Sequence, residues 1–190
     1  GGGSAEVQDL FSLLIAIRVL KRASDQAENI CEQTSFAVTG ETGEEKRYRI
    51  LFIDEDNRLL SIMAEAFARE AFPDVGRYLS AGATPADAFD PDFVEFLASR
   101  GVDIEGSPMD LQQALDKANR HYHIIVGIGV NPAKYIDDIP FRTVVLEWDA
   151  NEVHEEVSGL QGRDRFPGLY RAISGRVDAL MRTLGLETDR

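Results

Sequence analysis

From Tyr48 onward, short apolar segments alternate with longer amphipathic ones, and this alternation limits the chain to a few folds. Four segments have the β-branched and apolar content of strands: RILFI, RYLSAG, HIIVGIG and FRTVVLEW. Four others carry apolar residues at helical spacing: LLSIMAEAFAREAF, PDFVEFLASRG, SPMDLQQALDKAN and GLYRAISGRVDALMRTLG. Strands that alternate with helices predict βαβ units. The predicted class is therefore α/β, a mostly parallel sheet flanked by helices on both faces.

The first 47 residues follow a different pattern. The opening GGGS, residues 1–4, resembles a flexible linker or tag remnant and is set aside. Residues 5–39 contain neither Gly nor Pro, and their apolar residues recur at nearly helical spacing, which predicts one long N-terminal helix. Two glycines and a run of charges then predict a linker over residues 40–47. The second domain is expected to span residues 48–190.

Composition restricts the partners. The formal net charge of −13 argues against nucleic acids and anionic membranes, because both attract Lys and Arg. A single cysteine, Cys31, excludes an internal disulfide and fits a reducing compartment. The apolar run LFSLLIAI is too short to span a bilayer and is closed by Arg18. We therefore expect a soluble cytoplasmic protein.

The loop after the first strand is the candidate site. In parallel sheets, ligands bind beyond the carboxyl ends of the strands, and a helix that begins there presents backbone N–H groups to an anion. This loop instead carries three consecutive acids, Asp54, Glu55 and Asp56. The sequence places negative side chains where an anion site needs donors.

The loop and the segments around it resemble a known family. NRLLSIMAEAF, YLSAGATP, FDPDFVEFLASRGVDIEGSPMD, HIIVGIG and FRTVVLEWDA are similar to the low-molecular-weight protein tyrosine phosphatases and arsenate reductases over residues 48–186. The matching positions of the loop and its helix are Asn57, Ser61, Met63, Ala64 and Glu65. The resemblance implies a flavodoxin-like sheet of four parallel strands, with a phosphate-binding loop that begins at Asp54.

The departures from the family fall on its chemistry. The family's phosphate loop has Cys, five residues and Arg, and the corresponding residues here are Asp54 and Leu60. A carboxylate replaces the thiolate nucleophile, and Leu60 offers no donor in place of the guanidinium fork. The family's Asp-Pro acid is also missing, and the nearest acids are Asp149 and Glu152. We therefore expect a catalytically inactive domain, a pseudophosphatase, whose loop amides are satisfied by its own acids.

Active alternatives stay open. Response-regulator receivers bind magnesium through similar paired acids, but their later Asp and Lys are missing here. Haloacid-dehalogenase-type phosphatases have a similar Asp-x-Asp, but Arg58 occupies the position of a small or β-branched residue, and the later motifs are missing. Asp54 and Asp56 could also hold Mg²⁺ through carboxylate oxygens. An enzyme of this kind would use Asp54 as nucleophile or metal ligand, with Asp149 or Glu152 as the acid.

The N-terminal helix has a resemblance of its own. Residues 15–41 are similar to the last helix of PhoU proteins, the helical regulators of phosphate uptake. PhoU proteins bind metal through an acid, three residues and an Asp; here Lys21 replaces the first acid and Asp25 remains. The resemblance implies a place in phosphate-linked signalling. Because an apolar helix must be covered, we expect association through residues 5–39, with a homodimer as the simplest closed form. A purely structural dimerisation module is a further alternative.

Overall fold

The structure is a computed structural model that describes residues 48–104, 106–118, 121–155 and 157–185, together with Ile17 and Leu20. The chain divides into two units, Gly1–Lys46 and Arg47–Arg190. Ile17 and Leu20 are helical and exposed. The rest of the predicted helix over residues 5–39, including the PhoU-like positions Lys21 and Asp25, lies outside the described residues.

The second unit is built on a four-stranded sheet. The strands are β1 (Tyr48–Asp54), β2 (Gly76–Gly82), β3 (Ile124–Ile128) and β4 (Val144–Trp148). They pair in the order β2-β1-β3-β4, and all three pairings are parallel. The predicted α/β fold, with a flavodoxin-like parallel sheet of four strands, is therefore confirmed.

Five helices among the described residues cover this sheet. They are α1 (Leu60–Ala71), α2 (Pro91–Ala98), α3 (Leu111–Lys117), α4 (Ala150–Glu155) and α5 (Phe166–Thr183). Among the described helices α5 is the longest. Short 3-10 turns occupy Pro132–Lys134 and Gly162–Arg165. The sequence patterns did not predict α4 or these turns, because each is too short to show a helical period.

The sheet separates two apolar cores. Side chains that alternate along β1 point to opposite faces. Phe52 packs with Phe93 and Phe166 on the face covered by α1, α2 and α5. Leu51 packs with Leu115 of α3 on the other face. Both faces of β1 are buried, which explains why RILFI is continuously apolar and not alternating.

Two helix starts are fixed by aspartate caps. Asp90 accepts hydrogen bonds from the backbone N–H groups of Asp92 and Phe93 at the start of α2. Asp110 does the same at α3, for the N–H groups of Gln112 and Gln113. Such caps satisfy N–H groups that have no partner within the helix. In the described part of the chain, no helix is long and apolar enough to cross a membrane.

The start of β4 differs from the prediction. The segment FRTVVLEW was predicted as one strand, but β4 begins only at Val144. Thr143 N–H donates to Pro140 O at 2.8 Å, which closes a turn just before the strand. Phe141 lies in this turn and is fully exposed. A proline-initiated turn therefore displaced the first three residues of the predicted strand.

Candidate functional site

The loop between β1 and α1 lies at the carboxyl end of a central strand, where the resemblance placed it. Asp54 ends β1 and is buried, with 5% of its surface exposed. Its Oδ1 accepts the N–H of Asn57 at 2.6 Å, and its Oδ2 accepts the N–H of Ser61 at 2.9 Å. Both oxygens are thus held by the loop and by the first turn of α1. The carboxylate of Asp54 therefore takes the position that a bound anion would occupy at the start of a helix.

Asn57 holds the loop in shape. Its backbone φ of 53° lies in the left-handed region, which Asn tolerates better than most residues. Its side chain donates to Ser61 Oγ at 2.9 Å and accepts the N–H of Met109 at 2.8 Å. Asn57 therefore ties the loop both to α1 and to the segment before α3. Asn57 and Ser61, which the resemblance singled out, form the buried framework of the loop.

The segment after β2 supports the loop from the side. The N–H groups of Ala83, Thr84 and Ala86 donate to the carbonyl oxygens of Asp54, Glu55 and Asp56 in turn, at 2.7 to 3.0 Å. Because the loop carbonyls bond outward to this segment, the loop cannot slide along it without breaking all three hydrogen bonds.

Gly82, at the end of β2, lies close to the backbone of the same loop. A Cβ added to Gly82 would lie 2.8 Å from the carbonyl carbon of Asp56 and 2.9 Å from the nitrogen of Asn57. Only glycine allows the two backbones to come this near.

The protonation of Asp54 reflects two opposed effects. Burial raises the pKa of its carboxyl, because a buried carboxylate loses the hydration that stabilises its charge. The hydrogen bonds from Ser61 and Asn57 lower the pKa, and the nearby negative charge of Asp56 raises it again. The net direction is upward, so Asp54 takes up a proton more readily than an exposed aspartate does.

The other predicted loop residues do not converge on Asp54. Glu55 is exposed and accepts the hydroxyl of Tyr135 at 3.4 Å. Asp56 accepts the N–H of Arg58 at 3.1 Å. Leu60, in the family's arginine position, is a buried residue at the start of α1. Among the described residues, no three His, Cys, Asp or Glu side chains come together in a way that could hold a metal ion.

The structure directs the two predicted acids elsewhere. Asp149 accepts the N–H of Asn151 at 2.8 Å at the start of α4. The Glu152 carboxylate pairs with the guanidinium of Arg176 on α5, at 2.7 Å. Neither residue lines the cavity above Asp54, although their neighbour Ala150 does. The structure therefore gives both carboxylates partners outside the loop cavity.

A cavity of about 440 Å³ opens above the loop, and we call it the loop cavity. It is lined by Asp54, Glu55, Asp56, Arg58, Leu59, Leu60, Asp90, Ile128, Gly129, Val130, Ala150 and Arg165. Arg165 and Asp90 were not found from the sequence. Arg165 ends the 3-10 turn before α5, about a hundred residues from the loop, and no local pattern relates the two.

A second cavity, of about 610 Å³, lies beside β2 and α1. Glu65 and Ser80 are both buried in its wall, and Ser80 Oγ donates to Glu65 Oε2 at 2.6 Å. Glu65 also pairs with Arg69 one turn later on α1. Burial raises the pKa of Glu65, against the lowering effect of Ser80 and Arg69. Every polar group of this pair is satisfied within the chain, which is typical of a structural role.

Solved structures show which proteins share this fold. No protein-family model matches the sequence, and no curated protein is similar enough to count as a relative. A thioredoxin-dependent arsenate reductase from Corynebacterium glutamicum is 22% identical with a TM-score of 0.56, covering 87% of this chain and 75% of that one. Vibrio vulnificus Wzb, in complex with benzylphosphonate, is 17% identical with a TM-score of 0.52, covering 72% and 98%.

The Erwinia amylovora tyrosine phosphatase amsI is 13% identical with a TM-score of 0.52, covering 74% of this chain and 95% of that one. At these identities the likeness concerns the fold. Residues 48–185, where described, therefore have the α/β fold of the arsenate reductases and low-molecular-weight tyrosine phosphatases, as the resemblance in sequence implied.

Proposed function

We propose that the domain is a catalytically inactive relative of these phosphatases and reductases and acts in the cytoplasm as a binding or regulatory module. One observation carries the proposal. Both carboxylate oxygens of Asp54 accept backbone N–H groups of the loop, from Asn57 and Ser61. Those are the donors that an incoming anion would need. The loop is therefore occupied before any ligand arrives.

The negative charge of the loop also opposes the binding of an anion. A phosphate dianion at the loop would face Asp54, Glu55 and Asp56. At a few Å, each like-charge contact costs about 1 to 4 kcal/mol for effective dielectric constants between 80 and 20. Leu60 supplies no guanidinium to offset this repulsion. The nearest predicted acids, Asp149 and Glu152, are engaged with α4 and α5.

The test is hydrolysis of p-nitrophenyl phosphate by the full chain and by Asp54→Ala. We expect no turnover above buffer in either protein. Turnover by the wild type that Asp54→Ala abolishes would overturn the proposal. The assay is run with and without Mg²⁺, because the competing magnesium-dependent enzyme needs the cation. Turnover that appears only with Mg²⁺ and is lost in Asp54→Ala would assign that magnesium-dependent activity to the loop instead.

The proposal extends to self-association through residues 5–39, and the resemblance to PhoU supports a role in phosphate-linked signalling. The second unit has two apolar cores of its own, so it is expected to fold without the first. Light scattering on the full chain and on a chain lacking residues 1–46 tests this. We expect a dimer and a monomer, respectively. A dimer in both would place the contact on the second unit, and a monomer in both would remove self-association from the proposal.

A further inference from the structure

Arg165 in the loop cavity has an unsatisfied buried group. Within the described residues, its Nε is the one buried side-chain nitrogen or oxygen without a hydrogen-bond partner. Its Nη2 lies 3.6 Å from Asp90 Oδ2, which is too long for a good hydrogen bond. The guanidinium carbon lies 5.4 Å from the centre of the Phe166 ring. The edge of the guanidinium that carries Nε and Nη2 therefore has no close hydrogen-bond partner in the part of the chain that the structure describes.

The acids around Arg165 are committed elsewhere. Asp90 Oδ1 caps α2 by accepting the N–H groups of Asp92 and Phe93. The Asp54 oxygens accept loop N–H groups, and Asp56 Oδ1 accepts the N–H of Arg58. Asp90 Oδ2 therefore neutralises Arg165 only in part, through one contact of 3.6 Å to Nη2 that leaves Nε without a partner. Because the side chain is 36% exposed, it can turn toward the cavity at the cost of the long contact to Asp90 and the contact with the Phe166 ring.

We propose that the loop cavity binds a monocarboxylate with an apolar body, held by the guanidinium of Arg165. The parallel N–H groups of Nε and Nη2 match the two oxygens of a carboxylate. Leu59, Leu60, Ile128, Val130 and Ala150 provide the apolar wall for the rest of the ligand. This inference rests on the proposed function, because it requires that the loop itself is filled by Asp54.

The residues that line the loop cavity also limit the negative charge that a ligand can carry. Glu55 and Asp56 remain at the cavity, so a ligand anion is repelled in proportion to its charge. A phosphonate or phosphate dianion meets twice the repulsion of a carboxylate and gains no second described cation as buried as Arg165, since Arg58 is exposed. A single negative charge is the most that one guanidinium can balance here.

The experiment uses two probes that differ mainly in the anionic group, phenylacetate and benzylphosphonate. Binding to the full chain is measured by calorimetry at low and high salt. We expect phenylacetate to bind about tenfold more tightly than benzylphosphonate, and salt to weaken both. Arg165→Gln should weaken phenylacetate about tenfold, and Arg165→Lys, which keeps the charge without the fork, less than that.

Arg163→Gln is the matched control. Arg163 lies in the same 3-10 turn but pairs with Asp92 and Glu95 at 2.7 Å and does not line the cavity. Phenylacetate should bind this variant as it binds the wild type. If the Arg163 and Arg165 variants lose affinity for phenylacetate equally, the loss would follow from the change in net charge alone, and the proposal would be overturned. Should the Arg165 variants fail to fold, the ¹⁵Nε–H resonance of Arg165 in the wild type must shift on titration with phenylacetate, and an unchanged resonance overturns the site.

The two proposals fail separately. No binding of phenylacetate by a chain without phosphatase turnover overturns only the carboxylate site. Tighter binding of benzylphosphonate than of phenylacetate overturns the carboxylate site and the occupied loop, because the loop would then accept the dianion, whereas catalytic inactivity is overturned only by turnover.

N-acetyl-glycyl-phenylalanine and its amide distinguish the source of the carboxylate. Binding of the free acid at least as tight as that of phenylacetate, with none of the amide, indicates a peptide C-terminus. Binding of phenylacetate alone indicates a small acid.

Discussion

The Oδ2 oxygen of Asp54 lies 2.9 Å from the backbone nitrogen of Ser61, the second residue of α1. A side chain at the end of the central strand thereby satisfies one of the free N–H groups at the start of the following helix. The partial positive charge of that helix end stabilises the carboxylate, typically by about 0.3 to 1 kcal/mol. Strand, loop and helix are closed into one hydrogen-bonded unit without an external ion.

Asp54→Ala should free this position for an anion. The variant leaves the N–H groups of Asn57 and Ser61 without their acceptor, so the unfolding free energy should fall by about 1 to 3 kcal/mol. Phosphate should then raise the melting temperature of the variant but not of the wild type, because a ligand of the folded state stabilises it. Thermal unfolding with and without phosphate measures both effects. In the control Asp56→Ala, phosphate should leave the melting temperature unchanged. If phosphate raised the melting temperatures of the wild type and of Asp54→Ala equally, the loop of the wild type would not be occupied by Asp54.

Glu65 should give the stability a specific pH dependence. Burial raises the pKa of this carboxyl above its ordinary value of 4.5, so the folded state binds the proton more tightly than the unfolded chain does. The stabilisation from this group is complete below pH 4.5 and is lost as the pH rises through the folded-state pKa.

Relative to the wild type, Glu65→Gln should therefore become more stable as the pH rises through that window. Urea unfolding at a series of pH values measures the difference. Glu155→Gln, at the exposed end of α4, is the control and should follow the wild type. A difference between Glu65→Gln and the wild type that stays constant with pH would show that Glu65 titrates as it does in the unfolded chain.

Gly82→Ala should disrupt the loop from the side. The added methyl group would meet backbone atoms of Asp56 and Asn57 at 2.8 and 2.9 Å, so one of the two segments must move. We expect a loss of about 2 kcal/mol or more in unfolding free energy, in the range of overpacked sites. Gly175→Ala in α5 is the matched control: nothing lies within 4 Å of its added Cβ, and alanine should stabilise the helix by about 0.5 to 1 kcal/mol. Equal effects at the two glycines would contradict the close approach at Gly82.

Phe93→Ala should test the core beneath the site. The Phe93 ring is fully buried and lies 5.8 Å from that of Phe166, centre to centre. Its removal should cost about 3 to 5 kcal/mol of unfolding free energy. Phe141→Ala, at a fully exposed ring, should change stability by less than about 0.5 kcal/mol. Urea denaturation measures the unfolding free energy of both variants. A small loss in Phe93→Ala would show that neighbouring side chains move into the space left by the ring.

The sequence predicted the fold because its signals are local and repeated. The two inner strands, β1 and β3, are short apolar runs that are buried on both faces, and the connecting helices carry an apolar stripe, so few arrangements other than a parallel sheet remain. Asp54 was also found from sequence, because its position is set by the residues next to it along the chain: the end of β1, the loop and the start of α1.

The cavity above the loop could not be predicted in the same way. Arg165 reaches it from the turn before α5, and Asp90 from the start of α2, so the contact exists only once the helices have packed. The same reason explains the two acids that were expected at the site. Both acids follow β4 closely along the chain, but α4 forms there: Asp149 accepts an N–H group at its start, and Glu152 pairs with Arg176.

The filled loop also constrains how such a protein can change over generations. Cysteine in place of Asp54 would introduce the thiol of the family's phosphate loop, but Leu60 would still offer no donor to a bound anion. Arginine in place of Leu60 alone would meet the carboxylate of Asp54 and pair with it. Each single replacement thus supplies only one of the two groups that the family's phosphate loop carries. A loop filled by Asp54 therefore needs at least two replacements, at residues 54 and 60, before it holds both the Cys and the Arg of that motif.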